Sequence, residues 1–157
     1  MYQRILVPID GSPTAERGLA EAIKLGRLTG AQLRLVHVVD ELSFALSASQ
    51  GMATMTGDVL DMLREAGAEI LAQGAASVRA AGLQVDTVLK DSFAGRVSDL
   101  VVREAGAWPA DLIVLGTHGR RGVGRLFLGS DAETIVRSAP VPVLLLRAAA
   151  STSAAPE

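Results

Sequence analysis

At 157 residues, 49% of them apolar, the chain has the length of one domain and the material for one sizeable core. Its formal charge of −2 at pH 7 supplies no global basic field for nucleic acid, and an aromatic content of 3% leaves little for stacking on bases. Cysteine is absent, which removes disulfides, thiolate catalysis and cysteine-ligated metals, and no apolar run approaches the roughly 20 residues that span a bilayer.

The N-terminus enters a strand pattern by Ile5 where a secretory segment would show its apolar core, so a soluble, unexported, cytoplasmic protein is expected. Arg4 to Ile9, RILVPI, lacks polar alternation, as a parallel strand covered on both faces does. It ends in Asp10-Gly11-Ser12-Pro13, where Ser12 suits a helix N-cap and Pro13 the first helical position; the helix should run to a stop at Gly30. Leu19, Ala22 and Ile23 give it a buried stripe.

Gln32 to Val39 reads as the second strand. The following stretch, 40–57, follows neither the helical nor the strand period and is expected to be a long, mobile connection. Asp58 then caps a long helix to about Ala81, with Val59, Leu63, Ile70 and Val78 on one face and Gly82 closing it. Val85 to Leu89 is the third strand. Ser92 is placed to cap a third helix carrying Val97, Leu100, Val101 and Glu104 and ending near Gly106 or Trp108-Pro109. Leu112 to Leu115 is the fourth strand, Ser130 to Ser138 the fourth helix and Val141 to Leu146 the fifth strand. One domain is expected over 1–148, and 149–157, small and polar, as a disordered tail.

Strands alternating with helices at this spacing specify an α/β domain: an open five-stranded, mainly parallel sheet with helices on both faces and right-handed crossovers. Such sheets bind ligands at the carboxyl ends of the strands, where the strand order reverses. If the first and fourth strands are neighbours, Asp10 and Gly116 face each other across that crevice.

The segment from Asp111 to Ser130, DLIVLGTHGRRGVGRLFLGS, is the strongest functional signal in the chain. A buried strand feeds a glycine-marked loop that ends at a helix N-terminus, where unpartnered amides and the positive end of the helix dipole receive anions. Gly116, Gly119 and Gly129 would bring main chain close to a sugar and phosphates, and Ser130 adds a hydroxyl. Arg120, Arg121 and Arg125 follow closely enough for at least one guanidinium to reach a polyphosphate, Arg120 first because it adjoins Gly119.

Plainer readings stand beside these. Glycines after strands also make ordinary turns, Asp10 also suits a turn that bonds the Ser12 segment, and Arg121 and Arg125 also suit a solvated face. His37, in an apolar strand, reads as a satisfied core or crevice histidine, and His118 as a residue whose peptide matters more than its imidazole.

Gly116, Gly119, Gly129 and Ser130 match, at every spacing, the Gly-x2-Gly-x9-Gly-(Ser/Thr) signature of the universal stress protein family, which the chain resembles over nearly its whole length. Asp10 after the first strand, His37-Val38 near the end of the second and Pro142-Val143 in the fifth extend the resemblance. It implies a strand order of 3-2-1-4-5 and a homodimer through the fifth strands, at Val141, Val143 and Leu145. It also implies ATP, or ADP or AMP, with adenine and ribose near Asp10, Val38 and Gly116, and phosphates on Gly119, Gly129 and Ser130. Pro8, Ile9, Leu115, His118, Arg120, Asp131 and Ala132 complete the expected contact set, with Mg2+ or Mn2+ held mainly by the phosphates. Many members carry a neutral residue where this chain has Asp131, a carboxylate that either competes with phosphate for the helix amides or helps to hold the cation.

Enzymatic signatures are missing. Gly124 and Gly129 have the glycine spacing of a P-loop, yet Ser130 stands where that motif needs lysine. No dinucleotide fingerprint, GxSxG elbow or histidine and carboxylate pair at metal-ligand spacing appears. The first expectation is therefore a nucleotide-binding regulator or sensor, the second a dimeric interaction scaffold with an empty or non-nucleotide crevice, and the third a weak ATPase.

Overall fold

The computed structural model describes residues 1–41, 57–117 and 129–147. The connection 42–56, the loop residues His118, Gly119, Arg120, Arg121 and Arg125, and the tail lie outside these residues.

The described residues form strands β1 (Arg4–Pro8), β2 (Gln32–Val39), β3 (Val85–Asp91), β4 (Leu112–Gly116) and β5 (Val143–Leu146). Every pairing is parallel, and the order across the sheet is β3-β2-β1-β4-β5. Helices α1 (Pro13–Thr29), α2 (Gly57–Ala80), α3 (Val97–Ala107) and α4 (Ser130–Ser138) cover it. Because successive strand side chains point to opposite faces, β1 divides its apolar run between two cores. Ile5 and Val7 join Leu33, Leu35, Leu112 and Val114 beneath α1 and α2, where Leu19, Ala22, Leu71, Ala75 and Val78 meet them. Leu6 joins Val36, Ile113 and Leu115 on the other face, beneath Val101 and Ala105 of α3 and Ala132 and Ile135 of α4. A run without polar alternation is what a strand between two helical layers requires.

Local chemistry sets the ends of α1. Ser12 accepts a hydrogen bond from the Ala15 amide at 3.2 Å, Pro13 opens the first turn, and Gly30 closes the helix in the left-handed region at φ 73°. β3 runs two residues past its apolar stretch because the charges at its end are neutralised: Lys90 pairs with Glu104 at 2.9 Å and Asp91 with Arg64 at 3.0 Å. β5 begins two residues later than its apolar run, at Val143. Pro142 offers its carbonyl to the Ile113 amide at 3.0 Å but has no N–H of its own to give the ladder.

Two sequence expectations need correction. The buried face of α2 is Gly67, Leu71, Gly74, Ala75 and Val78, whereas Val59, Leu63 and Ile70 are only partly buried. Glycines let the helix settle on the sheet: a Cβ at Gly67 would stand 2.6 Å from His37 Cδ2, and one at Gly74 2.9 Å from Leu35 Cδ1. Ser92 does not cap α3. It lies in a single 3-10 turn, Ser92–Ala94, and its hydroxyl bonds Glu41, while α3 begins after Arg96 without a side-chain cap.

Candidate functional site

β1 and β4 are direct neighbours, with Ile5 beside Leu112 and Leu6 beside Ile113, so their carboxyl ends open on the same side at the point of strand-order reversal. The chain leaves β1 through Pro8, Ile9 and Asp10. The Ile9 amide donates to the Val36 carbonyl at 2.9 Å and the Ile9 carbonyl meets His37 Nδ1 at 2.8 Å, which fixes this exit against β2 two residues before Val38. A carbonyl only accepts, so Nδ1 carries the hydrogen; His37, 6% exposed, is the satisfied histidine its apolar strand suggested. Asp10 Oδ1 accepts from the Ser12 amide at 2.9 Å, a side-chain turn that aims the chain into α1.

Across the crevice, β4 ends at Leu115, Gly116 and Thr117. A Cβ at Gly116 would stand 2.7 Å from the carbonyl carbon and oxygen of Thr14, so this glycine is required by the approach of the first turn of α1. Thr117 then holds two elements together. Its amide donates to Leu146 of β5 at 2.9 Å, and its carbonyl accepts from the Gly129 amide at 2.9 Å. Residues 117 and 129 are thereby clasped at the base of the glycine loop, and α4 starts beside the end of β4.

The start of α4 is open. Gly129 occupies the cap position without a side-chain hydrogen bond, and its carbonyl receives the first helical bond from Glu133 at 2.9 Å. The amides of Ser130, Asp131 and Ala132 meet no acceptor among the described residues. Ser130 and Asp131 are exposed, whereas Ala132 is buried against the sheet. Gly129 has φ −59° and ψ 147°, a conformation open to any residue, and a Cβ there would come no closer than 3.4 Å to Thr117 O. Among the described residues, then, nothing in the fold demands a glycine at 129.

A second polar group, unmarked in the sequence, occupies the same edge at the ends of β2 and β3. Glu41, fully buried, donates its amide to Ser92 Oγ at 3.0 Å, and its Oε2 accepts from the Ser92 hydroxyl at 3.3 Å and the Phe93 amide at 3.1 Å. Burial pushes the Glu41 carboxyl above the usual range, and the Asp91 carboxylate adds to that, against the lowering effect of the Phe93 amide. Fifty-one positions separate Glu41 from Ser92, so no local pattern could reveal the tie. Elsewhere, a groove of about 390 Å3 between α2 and β3 has, among the described residues, Arg79 and Thr87 as the only polar side chains lining it and does not converge on a site.

Among the described residues, no helix is long and apolar enough to cross a membrane. Universal stress protein A homolog 2 of Coxiella burnetii is 33% identical over 147 residues, covering 93% of this chain and 95% of that protein. A solved protein of the universal stress protein family from Burkholderia pseudomallei superposes with a TM-score of 0.71 at 28% identity, over 94% of this chain and 97% of that one. The universal stress protein from Archaeoglobus fulgidus, solved in complex with dAMP, superposes with a TM-score of 0.64 at 26% identity, over 92% of this chain and 97% of that one. The sequence profile of the universal stress protein family matches residues 1–147, and with the parallel β3-β2-β1-β4-β5 sheet it places this chain in that family.

Proposed function

We propose that the chain is a nucleotide-binding stress-response regulator without an evolved reaction of its own, binding ATP across the carboxyl ends of β1 and β4. Adenine and ribose lie at Pro8, Ile9, Asp10, Val38, Leu115 and Gly116. The phosphates lie on Gly129, Ser130, Asp131 and Ala132 together with His118, Gly119 and Arg120 of the loop, and Mg2+ or Mn2+ is carried mainly by phosphate oxygens. The start of α4 carries this reading: three first-turn amides without acceptors, behind a glycine that nothing demands, both among the described residues. An anion supplies what those amides lack and gives the missing Cβ a reason. The dAMP complex of the Archaeoglobus fulgidus relative supports an adenine nucleotide as the ligand.

Calorimetric titration with ATP and Mg2+ tests the assignment. The parent should bind, and Gly129→Ala should weaken binding by about tenfold, roughly 1.4 kcal/mol, while staying folded. No heat from the parent, or equal affinity in the variant, would overturn it.

One observation favours a second reading. Gly116 and Asp10 both have work within the fold, against Thr14 and Ser12 respectively, and would be retained in a dimeric scaffold whose crevice is empty or takes another ligand. Both readings include a homodimer built on β5 through Val141, Val143 and Leu145, and the calorimetry separates them.

A further inference from the structure

We propose that Glu41 is held as a neutral carboxylic acid, so that the latch it forms between the end of β2 and the turn after β3 is sensitive to pH. The inference stands apart from the nucleotide reading and uses none of its residues.

The geometry excludes a comfortable carboxylate. Glu41 is 0% exposed, and both of its donors, Ser92 Oγ and the Phe93 amide, serve Oε2, while Oε1 meets no partner among the described residues. An ionised group there would be a dry charge with one oxygen unsatisfied. The neighbouring cation is already committed: Arg64 grips Asp91 with two bonds, Nε to Oδ1 at 3.1 Å and Nη2 to Oδ2 at 3.0 Å, and its third contact is Asp61 at 3.4 Å. The charged groups turned toward Glu41 are thus Asp91 at the end of β3 and Arg64 of α2, with Asp61 behind Arg64; Asp40 precedes it, and His37 lies further back on β2 against α2.

A proton on the Glu41 carboxyl removes the buried charge from a side chain whose Oε1 no donor among the described residues stabilises. The Asp91 carboxylate, by contrast, is held below the usual range first of all by its two bonds to Arg64. The two carboxyls are thus pushed in opposite directions, with Glu41 the protonated partner and Asp91, gripped by Arg64, the ionised one. Ionisation of Glu41 would place a buried negative charge beside that of Asp91 and so works against the tie between the end of β2 and the turn after β3.

The sign follows from linkage. A carboxyl whose midpoint is higher in the folded than in the unfolded chain makes its full contribution below the unfolded value, and that contribution is lost as pH rises through the folded value. Site-specific carbon NMR of the Glu41 carboxyl in the full, nucleotide-free chain is the direct test. The expected midpoint lies above the ordinary glutamate value of about 4.3. Between those two pH values, the folding equilibrium constant of the parent should fall, relative to Glu41→Gln, by up to about tenfold per pH unit. Titrating groups that do not interact with Glu41 are common to both proteins and cancel in that difference. A Glu41 midpoint at or below about 4.3, or identical pH slopes in parent and variant, would overturn the proposal. Should Glu41→Gln not fold, the titration of the parent alone decides: a raised midpoint supports the latch and an ordinary one removes it.

Discussion

Two glycines of the signature show how one residue type serves two ends. Gly116 is fixed by the fold, since a methyl group there would stand 2.7 Å from the Thr14 main chain, which cannot swing aside as a side-chain tip can. Among the described residues Gly129 is not, for its backbone is ordinary and a methyl group would meet Thr117 O at 3.4 Å. Denaturant unfolding should therefore separate them. Gly116→Ala is expected to lose about 1–3 kcal/mol through overpacking, whereas Gly129→Ala should stay within about 0.5 kcal/mol of the parent. Equal losses would mean that the start of α4 is packed more tightly than these contacts indicate. The signature was legible in the sequence as a spacing, but the spacing could not divide its glycines by purpose. That division needs the neighbour across the crevice, and Thr14 is remote from Gly116 in the chain.

At the scale of elements, what the sequence shows depends on whether the determinant is local. Ser12, Pro13 and Gly30 set both ends of α1 by contacts within a turn, and the bounds of β2 and α4 were equally readable. The buried face of α2 was not, because a search for large apolar residues passes over Gly67 and Gly74, which pack by having no side chain. The docking of α3 was hidden for a similar reason. Glu104, read as one position on a helix face, is a buried carboxylate clamped between Arg34 of β2 at 2.8 Å and Lys90 of β3 at 2.9 Å. Arg34 also grips Asp86 at 2.7 Å and lies over the Trp108 ring at 4.7 Å. Burial alone would raise the Glu104 carboxyl, but Lys90 and Arg34 together hold it below the usual range. Its contribution is therefore present above the unfolded value near 4.3 and is lost as pH falls through the lowered folded value. Glu104→Gln should cost about 1–3 kcal/mol at neutral pH and flatten the acid limb of a stability profile. An acid limb unchanged by the substitution would show that other carboxylates set it. Glu41 slopes the opposite way, so the two variants should straighten opposite ends of one curve.

For the whole molecule, the decisive feature is the free side of β5. The Ile113 amide donates to Pro142 O and the Thr117 amide to Leu146 O, so the even-numbered residues of this strand turn their main-chain groups to β4. Alternation along a strand then turns the N–H and C=O of Val143 and Leu145 outward, where no described strand meets them. The side chains of Val143 to Leu146 are all only half-buried, so among the described residues this is an apolar edge whose outward main-chain groups no strand takes up, an arrangement that natural sheets rarely leave uncovered. Pairing of two such edges across a twofold axis would bury them together and join the sheets of two molecules. Leu145→Pro is the selective probe, since it deletes an outward N–H without touching a bond to β4. Light scattering at micromolar concentration should find the parent at twice the chain mass and the variant at the chain mass, with the far-ultraviolet dichroism of the two alike. A monomeric parent, or a variant that remains dimeric, would move the association away from this edge. In either event the crevice at β1 and β4 would keep its own test, because every residue proposed to touch nucleotide comes from a single chain.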